Sequence, residues 1–234
     1  MMEHKSTYIH QMFSSIAGSY DWLNTLLSFT LDRYWRRFAA SQARPCPNSV
    51  ALDVATGTGK LARAVNEVGN GKSRVVGIDF CKEMLGKANI GAYQNIEFAL
   101  GTAECLPFPS DTFDCVLVGF GLRNFASVEN GLCEMRRVVK GGGRIVCLEF
   151  SQPSNKLIRL LHRFYLFKLI PLIGGMFSRS KEAYSYFPQS IVEFASQELG
   201  QVMKEVGLTD IETHPLTWGV VKVYIGTKKD EQST

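Results

Sequence analysis

Long apolar runs are missing from this 234-residue sequence. Arg123, Lys168 and Arg179 interrupt the candidates, so none reaches the roughly 20 apolar residues that a membrane-spanning helix needs. The N-terminus, MMEHKSTYIHQMF, lacks the apolar core of a secretory signal. The six cysteines (Cys46, Cys81, Cys105, Cys115, Cys133, Cys147) form no Cys-x-x-Cys pair. That spacing argues against a metal or redox site and for buried free thiols in a reducing compartment. Repeats, low-complexity tracts and linkers are absent too, so residues 1–234 are expected to form one domain. No basic stripe interleaved with aromatics suggests a nucleic-acid partner. A cytoplasmic protein is expected on these grounds. Its net charge of +4 suits an anionic membrane surface without demanding one.

What is present is alternation. VALDV (50–54), RVVGID (74–79), NIEFAL (95–100), FDCVLVGF (113–120) and GRIVCLEF (143–150) read as strands. Helical spacing separates them, as in Val128, Leu132, Met135 and Val139. Strands nearly continuous in apolar residues predict a parallel sheet covered by helices on both faces. Gly141-Gly142-Gly143 reads as a flexible turn into the fifth strand. A late helix is expected over about 196–206, with Ser196 as its N-cap and Gly207 past its end. WGVVKVYIGT (218–227) reads as an antiparallel closing strand before a polar tail.

In LDVATGTGKLA, Gly57 and Gly59 turn the backbone tightly from strand to helix beside a ligand, Thr58 adds a hydroxyl, and a helix begins near Lys60. Gly57, Gly59 and Ala62 also fit a dinucleotide pattern. Asp79, ending the second strand, suits the ribose of NAD or of S-adenosylmethionine (SAM) equally. Asp53, an acid inside the first strand, suits the ammonium of a methionine moiety, and the loop lacks a third glycine. In GTAECLPFPSDTFDCVLV (101–118), Thr102-Ala103-Glu104 and the loop leading into the fourth strand are expected to read an adenine edge. The succession resembles the class I SAM-dependent methyltransferases. An NAD-dependent oxidoreductase is the alternative, resting on Gly57, Gly59, Ala62 and Asp79 alone.

Four further stretches resemble the quinone-biosynthesis C-methyltransferases, which methylate demethylmenaquinol or the polyprenyl benzoquinol precursor of ubiquinone. They are FSSIAGSYDWLNTLLSFTLDRYW (13–35), FGLRNF (120–125), RVVKGGGRIVCLEFS (137–151) and AYSYFPQSI (183–191). The resemblance implies a Rossmann-like α/β fold with a mostly parallel seven-stranded sheet and SAM contacts at Thr58, Asp79, Thr102 and Ala103. It divides the sequence into an N-terminal helical cap (1–45), a SAM-binding core (46–150), a substrate-capping insertion (151–190) and a C-terminal helix and strand (191–228). Asp32 stands where the family usually has histidine, Gly141 where proline is usual and Lys60 where aspartate often follows the loop. Those departures, and the want of a clear base, leave open a methyltransferase-like subunit that binds SAM without turnover.

Methylating a ring carbon needs an electron-rich ring, hence a reduced quinol. Arg123 is expected to stabilise the forming phenolate or orient a water, and Asn124 to hold the other ring oxygen. Tyr20, Asp21, Tyr184 and Tyr186 are pocket candidates by likeness, whereas His162 and His214 stand isolated. Where amine-methylating relatives carry Asn/Asp-Pro-Pro-Tyr/Phe, this sequence has GFGLRNF. The segment 155–181 would set Leu157, Leu160, Leu161, Phe164 and Tyr165 on one helical face opposite Lys156, Arg159 and Arg163, with Pro171 and Gly174-Gly175 breaking the helix. Such a face fits a headgroup surface, a lid, packing on the sheet or a homodimer contact.

Overall fold

Asp53 and Leu52 show how the sheet is built: neighbours along a strand point to opposite faces. The computed structural model describes residues 2–16, 18, 20–88, 93–172, 181–195 and 198–230. Ser196, Gly174, Gly175, Arg179 and the side chains of Tyr20 and Tyr184 lie outside the described parts. Three helices come first: α1 (Met2–Ile16), α2 (Tyr20–Leu27) and α3 (Leu31–Gln42). The alternating core follows as β1 (Val50–Val54), α4 (Lys60–Val68), β2 (Arg74–Asp79), α5 (Lys82–Leu85), β3 (Ile96–Leu100), β4 (Phe113–Gly119), α6 (Val128–Val138) and β5 (Val139–Phe150). Then come α7 (Lys156–Phe164), α8 (Lys181–Phe194), α9 (Leu199–Glu205), β6 (Leu208–Leu216) and β7 (Val221–Lys228).

The seven strands form one sheet in the order β3-β2-β1-β4-β5-β7-β6. β1 to β5 are parallel, and β7 is antiparallel to both neighbours. The expected α/β class and strand number are therefore present. One face buries Leu52, Val116 and Ile145 against Leu132 and Met135 of α6. The other buries Ala51, Leu117 and Val146 against Trp35 and Ala39 of α3 and Val65 of α4. A third cluster joins Met12, Leu23, Met84, Leu166 and Ile191 from the N-terminal helices, α5 and the later insertion.

Several boundaries differ from the sequence reading. β5 begins at Val139 directly after α6, and the triple glycine lies inside it. Gly142 turns there at φ +73°, and the pairing slips between Phe113–Val139 and Cys115–Arg144. α9 starts at Leu199 rather than 196, with Gly207 past its end. β6 escaped the reading because LTDIETHPL is polar and mostly exposed. An edge strand needs little apolar surface and tolerates Pro215. Trp218 does not belong to the closing strand; it sits in a short 3-10 turn at φ 55°. Only Cys81, Cys115 and Cys147 are buried, while Cys46, Cys105 and Cys133 are exposed, so the expectation of buried thiols holds for half of them.

Asn155 caps α7, its side-chain oxygen accepting from Leu157 N (2.9 Å) and Ile158 N (3.2 Å). The helix turns only His162 inward, and the π-helical turn that follows (165–169) adds Leu166. Leu157, Leu160, Leu161 and Phe164 are exposed, which overturns packing on the sheet as an account of that apolar face. No helix among the described residues is long and apolar enough to cross a membrane.

Candidate active site

Strand order reverses between β1 and β4, and open α/β sheets bind ligands at the carboxyl ends of strands at such a point. A cleft lies there. Gly59 turns the backbone beneath it at φ +78°, and a Cβ at that position would come within 2.6 Å of the Phe98 ring, so only glycine fits. The turn allows Gly57 N to donate to Asp79 Oδ2 at 2.7 Å, while Cys81 N donates to Asp79 Oδ1 at 2.9 Å. Asp79 thus ties the loop to the tip of β2 and keeps lone pairs free for hydroxyl donors. Burial pushes its carboxyl up, against the lowering effect of those backbone donors.

Asp53, Gly57, Thr58, Asp79, Thr102 and Ala103 all line this cleft. Gly59 does not; it shapes the turn from behind. Thr58 donates its hydroxyl hydrogen to Asp21 of α2 at 2.7 Å. Asp53 is wholly buried. Its Oδ2 accepts from the Thr56 hydroxyl (2.6 Å) and Ala62 N (3.0 Å), and its Oδ1 has no donor. The segment after β3 contributes only its first part. Asp111 and Asp114 flank the start of β4, at the other end of that strand, bonded to Lys228 (2.8 Å) and Lys140 (2.7 Å), so they read no adenine edge.

A second, larger cavity of about 580 Å³ adjoins the cleft. The two share Phe13, Arg36, Phe120 and Asn124 in their walls. Asn124 follows β4 on a 3-10 turn, where its Oδ1 accepts from Tyr186 OH at 3.3 Å. Arg123 lines only the larger cavity and is buried. Its Nη1 donates to Glu149 Oε1 at 2.7 Å and to Phe120 O at 2.6 Å, and its guanidinium lies 5.4 Å from the centres of the Phe150 and Phe187 rings. The surface ion pair that an arginine here suggests is in fact a buried one. Glu149 escaped the sequence reading, although an acid inside a buried strand is the same signal that singled out Asp53.

Asp32 and Lys60, read separately as departures, meet in the structure. Lys60 Nζ lies 3.4 Å from Asp32 Oδ2, and also donates to Asp21 O and Thr25 Oγ1, each at 3.1 Å. Asp32 faces the larger cavity and Lys60 the cleft, so the pair ties α3 to the glycine loop. His162 is in the cavity wall, buried, with Nδ1 unpartnered, and burial lowers its pKa. His214 is exposed beside Glu212 at 3.2 Å, away from both spaces.

A parallel sheet with one antiparallel insertion, a glycine turn after β1 and an acid tipping β2 is the fold of the class I SAM-dependent methyltransferases. Solved structures agree on that fold. A SAM-dependent methyltransferase from Aquifex aeolicus matches with TM-score 0.59 at 16% identity, covering 84% of this protein and 90% of the solved one. Human N-acetylserotonin methyltransferase, solved with SAM, matches with TM-score 0.60 at 14% identity, covering 89% of this protein and 55% of the human one. The ubiE/COQ5 methyltransferase family model matches residues 1–228, and the protein belongs to that family. A ubiquinone/menaquinone biosynthesis C-methyltransferase from Geotalea daltonii is 43% identical over 230 residues, 96% of this protein and 97% of the relative. A demethylmenaquinone methyltransferase from Staphylococcus epidermidis is 38% identical over 232 residues, 98% and 96%. The protein is therefore a methyltransferase whose cofactor is SAM, and the oxidoreductase reading falls away. The residues present fit that cofactor: an unpartnered buried carboxylate oxygen at Asp53 and the Asp79 carboxylate in the cleft wall would suit its cationic and hydroxylated parts.

Proposed function

We propose that this enzyme methylates a ring carbon of a prenylated quinol, either demethylmenaquinol or the polyprenyl benzoquinol precursor of ubiquinone. The carrying observation is the apolar cavity of about 580 Å³ meeting the SAM cleft at Phe13, Phe120 and Asn124, which suits a greasy ring presented edge-on to the cofactor. SAM supplies an electrophilic methyl on a sulfonium sulfur. The protein's own residues must hold the ring, exclude water and favour loss of a hydroxyl proton. The guanidinium of Arg123 offers hydrogen-bond donors and no acceptor, so it serves as an electrostatic support for the phenolate and not as the proton acceptor. Asn124 has its Oδ1 taken by Tyr186, which leaves the amide hydrogens for the other ring oxygen.

The same reading gives the membrane a role. Phe29 and Trp218 are 72% and 76% exposed, and both also line the cavity. With Leu157, Leu160 and Phe164 of α7 and the cations Lys156, Arg159 and Arg163, they suit peripheral contact with an anionic membrane from the cytoplasmic side. Co-sedimentation with anionic but not neutral liposomes is the expected result. A stable dimer that ignores lipid would assign the face to a second copy instead. The main test is mass spectrometry after incubation with SAM and reduced demethylmenaquinone in detergent, beside an oxidised control. A product heavier by one CH2 unit, from the reduced form alone, is expected. SAM binding without product from either quinol would restore the inactive-subunit reading.

A further inference from the structure

A ring hydroxyl that gives up its proton inside a closed cavity needs an acceptor there. Most polar groups of the larger cavity's wall are already spoken for. Arg36 and Arg123 offer only donors. Asp32 is engaged by Lys60 at 3.4 Å and by the Ser28 hydroxyl at 3.2 Å. Tyr165 and Tyr186 donate their hydroxyl hydrogens to Leu27 O and Asn124 Oδ1, and burial raises the Tyr165 pKa. His162 is different. It is 8% exposed, its Nδ1 is fully enclosed without a partner, and its ring makes no hydrogen bond among the described residues. A buried imidazole in this state is costly unless something completes it. With Nδ1 enclosed, Nε2 is the nitrogen left to meet a ligand.

Its place in the fold suits that task. His162 is the buried residue of α7, and Leu166 follows about one turn later on the same face. Leu166 packs in one cluster with Phe150 and Phe187. Those two rings flank the Arg123 guanidinium, each with its centre 5.4 Å away. Imidazole and guanidinium therefore belong to neighbouring parts of one wall. No carboxylate bonds to the imidazole among the described residues, and burial lowers its pKa, so it is neutral at pH 7 with a lone pair to offer.

We propose, resting on the quinol reading, that His162 is the catalytic base, its Nε2 taking the ring hydroxyl's proton while Arg123 steadies the oxygen left behind. The O–H bond breaks, the proton passes to Nε2 and the electron pair stays on oxygen. That raises the electron density at the adjacent ring carbon, which is the one to be methylated. Once methylated, this carbon sheds its own hydrogen as a proton to solvent, and the imidazolium returns its proton to the oxygen. One proton is released in all, and the base ends as it began. An imidazole with no carboxylate behind it is a weak base, so the nearby Arg123 charge has to make the hydroxyl more acidic.

The test is the pH profile of kcat/KM for reduced demethylmenaquinone in detergent, at saturating SAM so that Asp53 does not contribute. The native rate should fall about tenfold per pH unit below an apparent pKa under 6.5, and stay level above about pH 7. His162→Gln should lose about 100- to 1,000-fold in kcat together with the acid limb. Calorimetry should find its affinity for S-adenosylhomocysteine unchanged. Added imidazole should restore part of the rate to His162→Ala, in step with the neutral form of imidazole. Nitrogen NMR gives a readout that needs no turnover: Nε2 should carry no proton at about pH 7, and its resonance should move when the methylated quinol binds. A His162→Gln variant within about twofold of native kcat, or with its acid limb intact, would overturn the base and leave the quinol reading standing. Lost S-adenosylhomocysteine binding in that variant would overturn it too, by making His162 part of the fold. A native enzyme that methylates neither quinol would remove the quinol reading, and the base with it.

Discussion

The cleft over the glycine loop and the larger cavity share a wall but treat charge in opposite ways. In the cavity, charge is closed internally: Arg123 lies against Glu149 at 2.7 Å and Asp32 against Lys60 at 3.4 Å. In the cleft Asp53, and in the wall that the two spaces share Arg36, are buried with polar atoms left open. Desolvated charge needs a counter-charge, so the difference indicates what each space expects. A cavity whose ions are paired within the protein suits an uncharged lipid ring. A cleft with one open anion and one open cation suits a cofactor that brings both.

The largest effect should come from opening the cavity's charge. Arg123→Met leaves Glu149 wholly buried and unpaired, and breaking such a pair costs about 3–5 kcal/mol. Denaturant unfolding should show that loss. The double variant Arg123→Met with Glu149→Leu should recover most of the stability while turnover stays low, separating the structural from the electrostatic duty of Arg123. A single variant costing under about 1 kcal/mol would break the comparison.

The converse is to close the cleft. Burial pushes Asp53 from 3.8 up to about 7. The folded state therefore holds that proton more tightly than the unfolded polypeptide. Without cofactor, stability should fall as pH rises from about 4 to about 7, by on the order of 3 kcal/mol. Asp53→Asn should remove this slope in a series of unfolding curves and gain stability at pH 8. In the native protein, SAM binding near pH 6 should release a proton, seen as a buffer-dependent heat. An unchanged slope in the variant would show that Asp53 already has a partner.

Between these extremes lies Lys60. Its side chain is 22% exposed against 4% for Asp32, so water screens part of the pair. Lys60→Met should cost about 1–2 kcal/mol, and adding Asp32→Asn should return most of it. The measurement is the coupling free energy of the double-mutant cycle. A coupling near zero would mean that α3 is held to the loop by packing alone.

This pair also marks how far a single sequence can reveal its own fold. The strands of the parallel core were legible because burial on both faces leaves nearly continuous apolar runs, and Asp53 stood out against such a run. Glu149 carried the same signal but sat inside a stretch that read as a strand signature, so its charge passed unremarked. Asp32 with Lys60 joins a residue of α3 to a residue of the core. No local spacing brings such pairs together; only the packing of α3 on α4 and the sheet does. β6 was missed for the opposite reason, since an exposed edge strand has no apolar pattern to read.

The smallest expected effect on stability concerns His162, a buried histidine of the cavity wall. Burial lowers its pKa below the usual 6.5, so the unfolded polypeptide takes a proton before the folded one does. Stability should therefore fall as pH drops through 6.5, opposite in sign to the Asp53 slope over the same range. The two partly cancel in the native protein, which is why each is best read with the other removed. In an Asp53→Asn background, His162→Leu should flatten the remaining acid-side loss at a cost of about 1 kcal/mol or less at pH 8. A flat profile before His162 is replaced would mean that this wall accepts charge, and the cavity would then no longer be the uncharged partner of the cleft.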